Sequence, residues 1–123
     1  MQQTLLGLNV DAPLRVYAVW FKMYPGDARE RWRADLLTDA RVRHYWDEPR
    51  SVGRLYLQTL PRIWPLRAAE TVLPQADALW DAYLLYPADA RWDEQPPDVI
   101  SWGATILQTQ ESLDRDLRRA LKP

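Results

Sequence analysis

The stretch RVRHYWDEPRSVGR, residues 41–54, decides how the rest of the chain is organised. Residues 42–46 predict a short strand, because valine, tyrosine and tryptophan favour the extended backbone of a sheet. The polar residues and the proline at 47–49 break that strand, and Ser51 is well suited to begin a helix. The segment therefore predicts a strand, a turn and a helix, and it contains the only histidine of the chain, His44.

The sequence upstream of this segment predicts one more strand and one helix. The run LRVYAVWF at residues 14–21 is almost wholly apolar, which is typical of a parallel strand covered on both faces. Asp27 and Glu30 have the spacing of a capping box, so we expect a helix over residues 27–39. The apolar stripe of that helix consists of Ala28, Trp32 and Leu36. Residues 2–10 fit either a short strand or the end of a helix.

The sequence downstream predicts a helix, a connection and a further strand. The helix beginning near Ser51 has apolar residues at helical spacing, and Pro61 is expected to end it. Residues 61–78 contain three prolines and no clear period, which indicates an irregular connection. The run WDAYLLY at residues 80–86 predicts a strand. The acidic, turn-rich residues 87–98 that follow are too many for a tight hairpin.

The last part of the chain predicts an alternating strand and a helix. In residues 99–107 apolar side chains alternate with Ser101, Gly103 and Thr105, so we expect one face of this strand to be wetter. The final helix begins near Gln110 and has a leucine at every fourth position. The complete order is β-α-β-α-β-β-α. It predicts a single α/β domain over residues 1–123, folded as a three-layer sandwich around a mixed β-sheet.

The composition fits a cytoplasmic protein and excludes thiol chemistry. The 123 residues include no cysteine, which rules out disulfides, thiolate metal ligands and a thiol nucleophile. With 14 arginines, two lysines and a net charge of −1, the chain has no overall field that favours nucleic acid or an anionic membrane. The N-terminus lacks the pattern of a signal peptide, and no stretch is long enough to span a bilayer. Seven tryptophans and six tyrosines supply rings that serve in cores, interfaces and ligand clefts.

Four groups of residues resemble the thioredoxin-like superfamily, and more closely a bacterial group within it. They are Val19-Trp20, the segment 41–47, the strand 80–86 and Trp92. The resemblance covers residues 14–121, and its motifs are clustered aromatic and charged residues. It implies that the predicted sandwich is thioredoxin-like.

The chain departs from that family at the redox site. In such proteins a CxxC motif follows a central strand and begins a helix, and both precede the strand corresponding to residues 14–21. Here only 14 residues precede Arg15, and none of them is cysteine. We therefore expect a thioredoxin-like domain that is truncated at its N-terminus and has no thiol–disulfide activity.

The missing strand and helix also predict a homodimer. Residues 3–10 would fold back as a replacement strand, or strands 14–21 and 80–86 would pair directly. Either arrangement leaves one side of the sheet thin, because the helix after the CxxC motif is absent too. A second copy related by a two-fold axis would then cover the apolar surface. That surface is expected to consist of Val16, Val19, Leu84 and Leu85.

Six residues are candidate contacts for a ligand or a partner. In a strand, His44 shares a face with Val42 and Trp46, and a half-buried, hydrogen-bonded structural histidine is the stronger interpretation. Carboxylates beside a tryptophan at the start or end of a strand can cap a helix or pair with Arg43 or Arg54, and capping is the favoured interpretation. The tryptophan of the acidic loop either contacts another molecule or packs its own loop on the sheet. The candidate contacts are His44, Trp46, Asp47, Trp80, Asp81 and Trp92.

No catalytic, metal-binding or nucleotide-binding motif occurs in the sequence. One histidine with carboxylates is a poor zinc site, since zinc normally takes more nitrogen or sulfur ligands, and we expect no metal and no cofactor. The preferred hypothesis is a non-redox interaction or structural protein, homodimeric or with another protein partner. The alternative is a small-molecule-binding protein or a cofactor-free enzyme. It would use a pocket bounded by Trp46, Asp47, Trp80 and Trp92, with arginines and rings that clamp anionic or planar ligands.

Overall fold

The computed structural model describes residues 5–7, 9–32, 34–63 and 76–123, and it is a mixed α/β structure. Its contacts divide the chain into two compact units, Met1–Val52 and Gly53–Pro123. The described residues form two small sheets and two α-helices, which confirms the α/β class. The three-layer sandwich around one mixed sheet and the single domain stay predictions. No helix in the described ranges has the length and apolarity to cross a membrane.

The sheet of the first unit consists of β1 (Val16–Trp20) and β2 (Val42–Trp46). The two strands are parallel, with Val16 beside Val42 and Trp20 beside Trp46. Both strands lie where the sequence predicts them. The expectation that β1 is covered on both faces is wrong, because the side chain of Tyr17 is 58% exposed.

The predicted helix over residues 27–39 is not formed. Two short 3-10 helices, Arg29–Arg31 and Ala34–Leu36, take its place. The Asp27 carboxylate accepts hydrogen bonds from the backbone N–H groups of Met23 and Tyr24, at 2.9 and 2.8 Å. These bonds lower the pKa of Asp27. Asp27 thus closes the turn formed by residues 23–27 and does not cap a helix. The predicted helix therefore lacks the N-terminal cap that its sequence suggested.

Arg41, immediately before β2, holds the N-terminal segment of the first unit. Its guanidinium donates two hydrogen bonds to the carboxylate of Asp39, at 2.9 and 2.7 Å. It donates three more to the backbone carbonyls of Leu6, Asn9 and Ala12, at 2.7 to 3.1 Å. The Arg41 side chain therefore uses the full donor capacity of a guanidinium. The bonds from Arg41 lower the pKa of Asp39 to about 2.

The segment held by Arg41 is not a strand in its described part. Leu5 and Leu6 lie in a helical turn and are buried, and residues 9–12 form turns. The replacement strand proposed for residues 3–10 is therefore absent at residues 5–7, 9 and 10. The other positions of that prediction, at 3, 4 and 8, lie outside the described residues.

Helix α1 (Ser51–Ile63) leads into the second unit. It begins where the sequence predicts, but Pro61 lies inside it and does not end it. Proline has no backbone N–H, so the last turn of α1 lacks the hydrogen bond that residue 61 would otherwise donate to the carbonyl four residues earlier. The irregular connection predicted for residues 61–78 falls mostly outside the described residues.

The sheet of the second unit consists of β3 (Ala82–Leu85) and β4 (Ser101–Ala104), which pair antiparallel. Helix α2 (Ile106–Ala120) follows at once and packs on both strands. It begins four residues earlier than predicted and buries Leu113 and Leu117. The remaining core of this unit consists of Tyr56, Leu60, Ile63, Ala78, Leu79, Tyr83 and Val99.

The two faces of β4 are the reverse of the sequence expectation. Ser101 and Gly103 are buried, whereas Trp102 and Ala104 are half-buried. The reason is the close approach of α2: a methyl group at Gly103 would lie 2.7 Å from side-chain atoms of Thr109 and Tyr83. Only a residue without a side chain fits there, so the small residues face the helix.

Candidate functional site

His44 lies on β2 and is fully engaged by its neighbours. The indole N–H of Trp20 donates to Nδ1 of His44 at 3.0 Å, so that Nε2 carries the proton and donates to the carbonyl of Leu37 at 2.9 Å. The ring also stacks on Trp20 with a centroid distance of 6.0 Å and meets Trp32 at 5.5 Å. With both nitrogens occupied, this histidine has the structural role that the sequence favoured.

Asp47 and Asp81 each contact the start of a helix. The Asp47 carboxylate accepts a hydrogen bond from the backbone N–H of Val52 at 2.8 Å, in the first turn of α1. The Asp81 carboxylate accepts one from the first residue of α2, Ile106, at 3.4 Å. Asp81 has a left-handed φ of 47°, which a short polar side chain tolerates. The contact of Asp47 agrees with the capping role expected of it, whereas the 3.4 Å contact of Asp81 is longer than an ordinary N–H···O hydrogen bond, and its capping role stays a prediction.

The tryptophans of the candidate set have different surroundings. The indole of Trp46 donates to the carboxylate of Glu48, and Trp80 is half-buried. Trp92 meets the ring of Tyr56 edge-on at 5.8 Å, yet its side chain is 53% exposed. Trp92 thus rests on its own unit and presents the rest of its ring to solvent.

Tyr56, whose ring contacts Trp92, also forms a hydrogen bond with Tyr86. The hydroxyl groups of Tyr56 and Tyr86 are 2.6 Å apart, and burial raises the pKa of both phenols. A raised pKa means that the folded state favours the neutral phenol. The pair therefore stabilises the fold below the ordinary tyrosine value near 10, and this stabilisation is lost as the pH rises above it.

We expect the Tyr86→Phe substitution to make alkaline unfolding less steep. Absorbance at 295 nm and circular dichroism, followed together from pH 8 upwards, should show fewer tyrosinates formed at the unfolding transition than in the wild type. Tyr24→Phe is the control, because the Tyr24 side chain is 60% exposed. Identical transitions for Tyr86→Phe and the wild type would contradict the assigned pair.

The six predicted contacts are distributed over both units. His44, Trp46 and Asp47 belong to the first, and Trp80, Asp81 and Trp92 to the second. The hydrogen bonds and ring contacts given above join five of them to other residues: His44, Trp46, Asp47, Asp81 and Trp92. Their role as ligand or partner contacts stays a prediction. So does the pocket bounded by Trp46, Asp47, Trp80 and Trp92, which draws on both units.

The structure adds an open groove on the first unit that the sequence did not single out. Its volume is about 460 Å³, and it lies on the outer face of the β1–β2 sheet. The rings of Tyr17 and Tyr45 have their centroids 6.3 Å apart with a 33° tilt, and both are at least half exposed. The lining residues are Leu14, Arg15, Val16, Tyr17, Ala40, Arg41, Arg43 and Tyr45.

The groove is basic, and two of its arginines are available. Arg15 and Arg43 are exposed, and neither forms an ion pair with any residue that the structure describes. Arg41 differs, since its guanidinium is occupied by Asp39 and three carbonyls. Among the described residues that line the groove, none is acidic. Two free guanidinium groups beside two phenol rings can hold carboxylates and flat groups together.

The sequence contains one signal for this groove, which is an arginine followed two residues later by a tyrosine in both strand regions. Arg15 and Tyr17 are two residues apart on one strand, and Arg43 and Tyr45 are two apart on the next. Side chains with that spacing share one face, and the parallel register places Tyr17 directly beside Arg43. Because β1 was expected to be covered on both faces, an exposed surface on this strand was not predicted.

In the described ranges, no group of three or more histidine, cysteine, aspartate or glutamate residues is arranged to hold a metal ion. Comparisons of the chain with models of protein families, with curated proteins and with solved structures return no match.

Proposed function

We propose that the chain is a non-redox, cytoplasmic interaction protein that binds through the groove on the β1–β2 sheet. The observation that carries this proposal is the exposed pair Tyr17 and Tyr45, flanked by Arg15 and Arg43, which form no ion pair with any described residue. Tyrosine and arginine are the residue types that interfaces concentrate, because each offers a large contact area with a polar end. The absence of cysteine leaves the chain without a thiol for redox catalysis.

We also propose the thioredoxin-like, three-layer arrangement for the complete chain. Its support is the order of the elements, in which a parallel pair of strands is followed by a helix, an antiparallel pair and a last helix. The 3-10 helices stand where that arrangement has its first crossover helix.

A homodimer remains part of the proposal, but its surface is not the one predicted from the missing strand. Val16, Val19, Leu84 and Leu85 are half-buried and are not among the exposed apolar residues of the described chain. An open apolar patch at these positions is therefore not available. The groove with its exposed tyrosines is the better surface for a partner.

Small-molecule binding is the second candidate, and the groove volume favours it. Ligand sites commonly enclose 300 to 1,000 Å³, roughly, and 460 Å³ falls in that range. Such sites also bury most of their ligand, whereas this groove is open and its two rings are exposed. That openness fits a protein surface better than a small molecule.

Two measurements on the pure protein test the interaction role. Insulin reduction should proceed at the rate of buffer alone, since no thiol is present. A thermal-shift screen against metabolites and nucleotides should give no reproducible rise. A true ligand at about 100 times its dissociation constant adds about 2.7 kcal/mol, which such a screen detects. A clear hit that the Tyr17→Ala, Tyr45→Ala double variant abolishes would replace the interaction role with small-molecule binding.

A further inference from the structure

The chain carries a second surface whose chemistry complements the groove. The connection between β3 and β4, residues 86–100, contains no helix or strand. Its segment 87–98, the acidic loop, has four carboxylates and a single arginine. Loops of this length without structure of their own are uncommon in compact domains and are often binding elements.

The carboxylates of the acidic loop are free to bind. Asp89, Asp93, Glu94 and Asp98 are exposed, and none forms an ion pair within the described residues. Trp92, which lies among them, is 53% exposed. An exposed tryptophan next to unpaired carboxylates matches a groove of exposed tyrosines next to unpaired guanidinium groups.

We propose that the groove of one copy binds the acidic loop of a second copy, so that the chain forms a reciprocal homodimer. This proposal rests on the proposed interaction function and names its partner. Carboxylates of the loop would pair with Arg15 and Arg43, where bidentate geometry gives orientation as well as attraction. Trp92 would pack on the rings of Tyr17 and Tyr45, and a desolvated tryptophan is a frequent source of binding energy.

The charge distribution favours two copies. The net charge is −1, so two chains approach without strong repulsion while their patches attract. In a dimer with a two-fold axis the contact forms twice, because the groove of each copy binds the acidic loop of the other. Such a contact closes and does not propagate into a fibre.

Charge reversal provides the test. The groove variant is R15E/R43E, the loop variant is D93R/E94R, and R29E/R62E is a control that changes the net charge as the groove variant does. Arg29 and Arg62 are exposed and lie outside both surfaces. Circular dichroism should give all three the melting temperature of the wild type to within a few degrees, so that folding is not the cause of any loss.

The wild type should sediment at about 100 µM with twice the chain mass of 14.5 kDa. The groove and loop variants should each lose at least about tenfold in association constant, whereas the control should not. An equimolar mixture of the two variants should form heterodimers, visible by native mass spectrometry, because both of its contacts again join opposite charges.

Three results would overturn the proposed dimer. They are a wild-type mass near 14.5 kDa at that concentration, equal association of the groove variant and the control, and a variant mixture without preferential heterodimers. None of them bears on insulin reduction or on the ligand screen. The failure of the dimer and the failure of the interaction role can therefore be told apart.

Discussion

Replacing Arg41 with alanine is expected to lower the melting temperature by roughly 10 °C. The guanidinium is 18% exposed and makes five hydrogen bonds, at 2.7 to 3.1 Å, to the Asp39 carboxylate and to three backbone carbonyls. Alanine removes every donor at once and leaves these acceptors without their partner. Because the carbonyls belong to Leu6, Asn9 and Ala12, the N-terminal turns should lose order together with the first residues of β2.

A matched control lies two residues further along the chain, on β2. Arg43 is exposed and makes no ion pair within the described chain, so that Arg43→Ala should change the melting temperature by no more than about 2 °C. Arg41→Lys should fall between the two, because an ammonium keeps the charge but lacks the planar fork. Thermal unfolding followed by circular dichroism measures all three. Equal effects of Arg41→Ala and Arg43→Ala would show that the five bonds do not stabilise the fold.

The same contact predicts a pH dependence with a definite sign. Arg41 lowers the pKa of Asp39 from 3.8 to about 2, so the folded state favours the charged carboxylate. The stabilisation is fully present above the ordinary value and is lost as the pH falls towards 2. Unfolding midpoints in urea, measured between pH 4 and pH 2, should therefore fall less steeply in Arg41→Ala than in the wild type.

The sequence predicts β2 and its surroundings well, because several signals there agree. Residues 42–46 combine strand-forming residues with a clear break, and the observed strand has the same bounds. Asp47 follows at the distance from which a carboxylate reaches the first turn of α1. In such a segment propensity, turn chemistry and capping all favour one structure, which is the condition under which local inference succeeds.

The prediction fails where one residue has two possible partners. Asp27 caps a helix if its carboxylate turns forward, and it closes a turn if the carboxylate accepts from Met23 and Tyr24, as it does here. The letters of the sequence are identical in both cases. The spacing of Asp27 and Glu30 therefore predicted a helix at 27–39 that does not form. Which of the two structures forms depends on which backbone N–H groups lie within reach of the Asp27 carboxylate.

The candidate groove was missed for a related reason. An apolar run such as residues 14–21 indicates a strand but not how many of its faces are covered. The neighbours that decide this are distant in sequence, and Tyr17 remains 58% exposed while residues on the other face are partly buried. The alternation of arginine and tyrosine on both strands became informative once their parallel register was known.

Gly103→Ala is the second substitution with a large expected effect, a loss of about 2–3 kcal/mol in the free energy of unfolding. Gly103 is buried in β4, beneath α2. A methyl group there would lie 2.7 Å from Cβ and Oγ1 of Thr109 and from the ring of Tyr83. Thr109 is fixed by its hydrogen bond to the carbonyl of Thr105, at 2.7 Å, and the Tyr83 hydroxyl bonds Ser101 at 3.1 Å. Thr109 belongs to α2 and Tyr83 is a buried ring of β3, so the added methyl group must displace the helix or a core side chain.

Gly26→Ala separates this packing effect from the general effect of replacing glycine. An added methyl group at Gly26 has no atom within 4 Å, and neither glycine has a positive φ. Alanine at position 26 should therefore leave stability unchanged or raise it by up to about 1 kcal/mol, because it restricts the unfolded chain. Urea unfolding of both variants measures the difference. If both substitutions had the same effect, the close contact between β4 and α2 could not be what fixes a glycine at position 103.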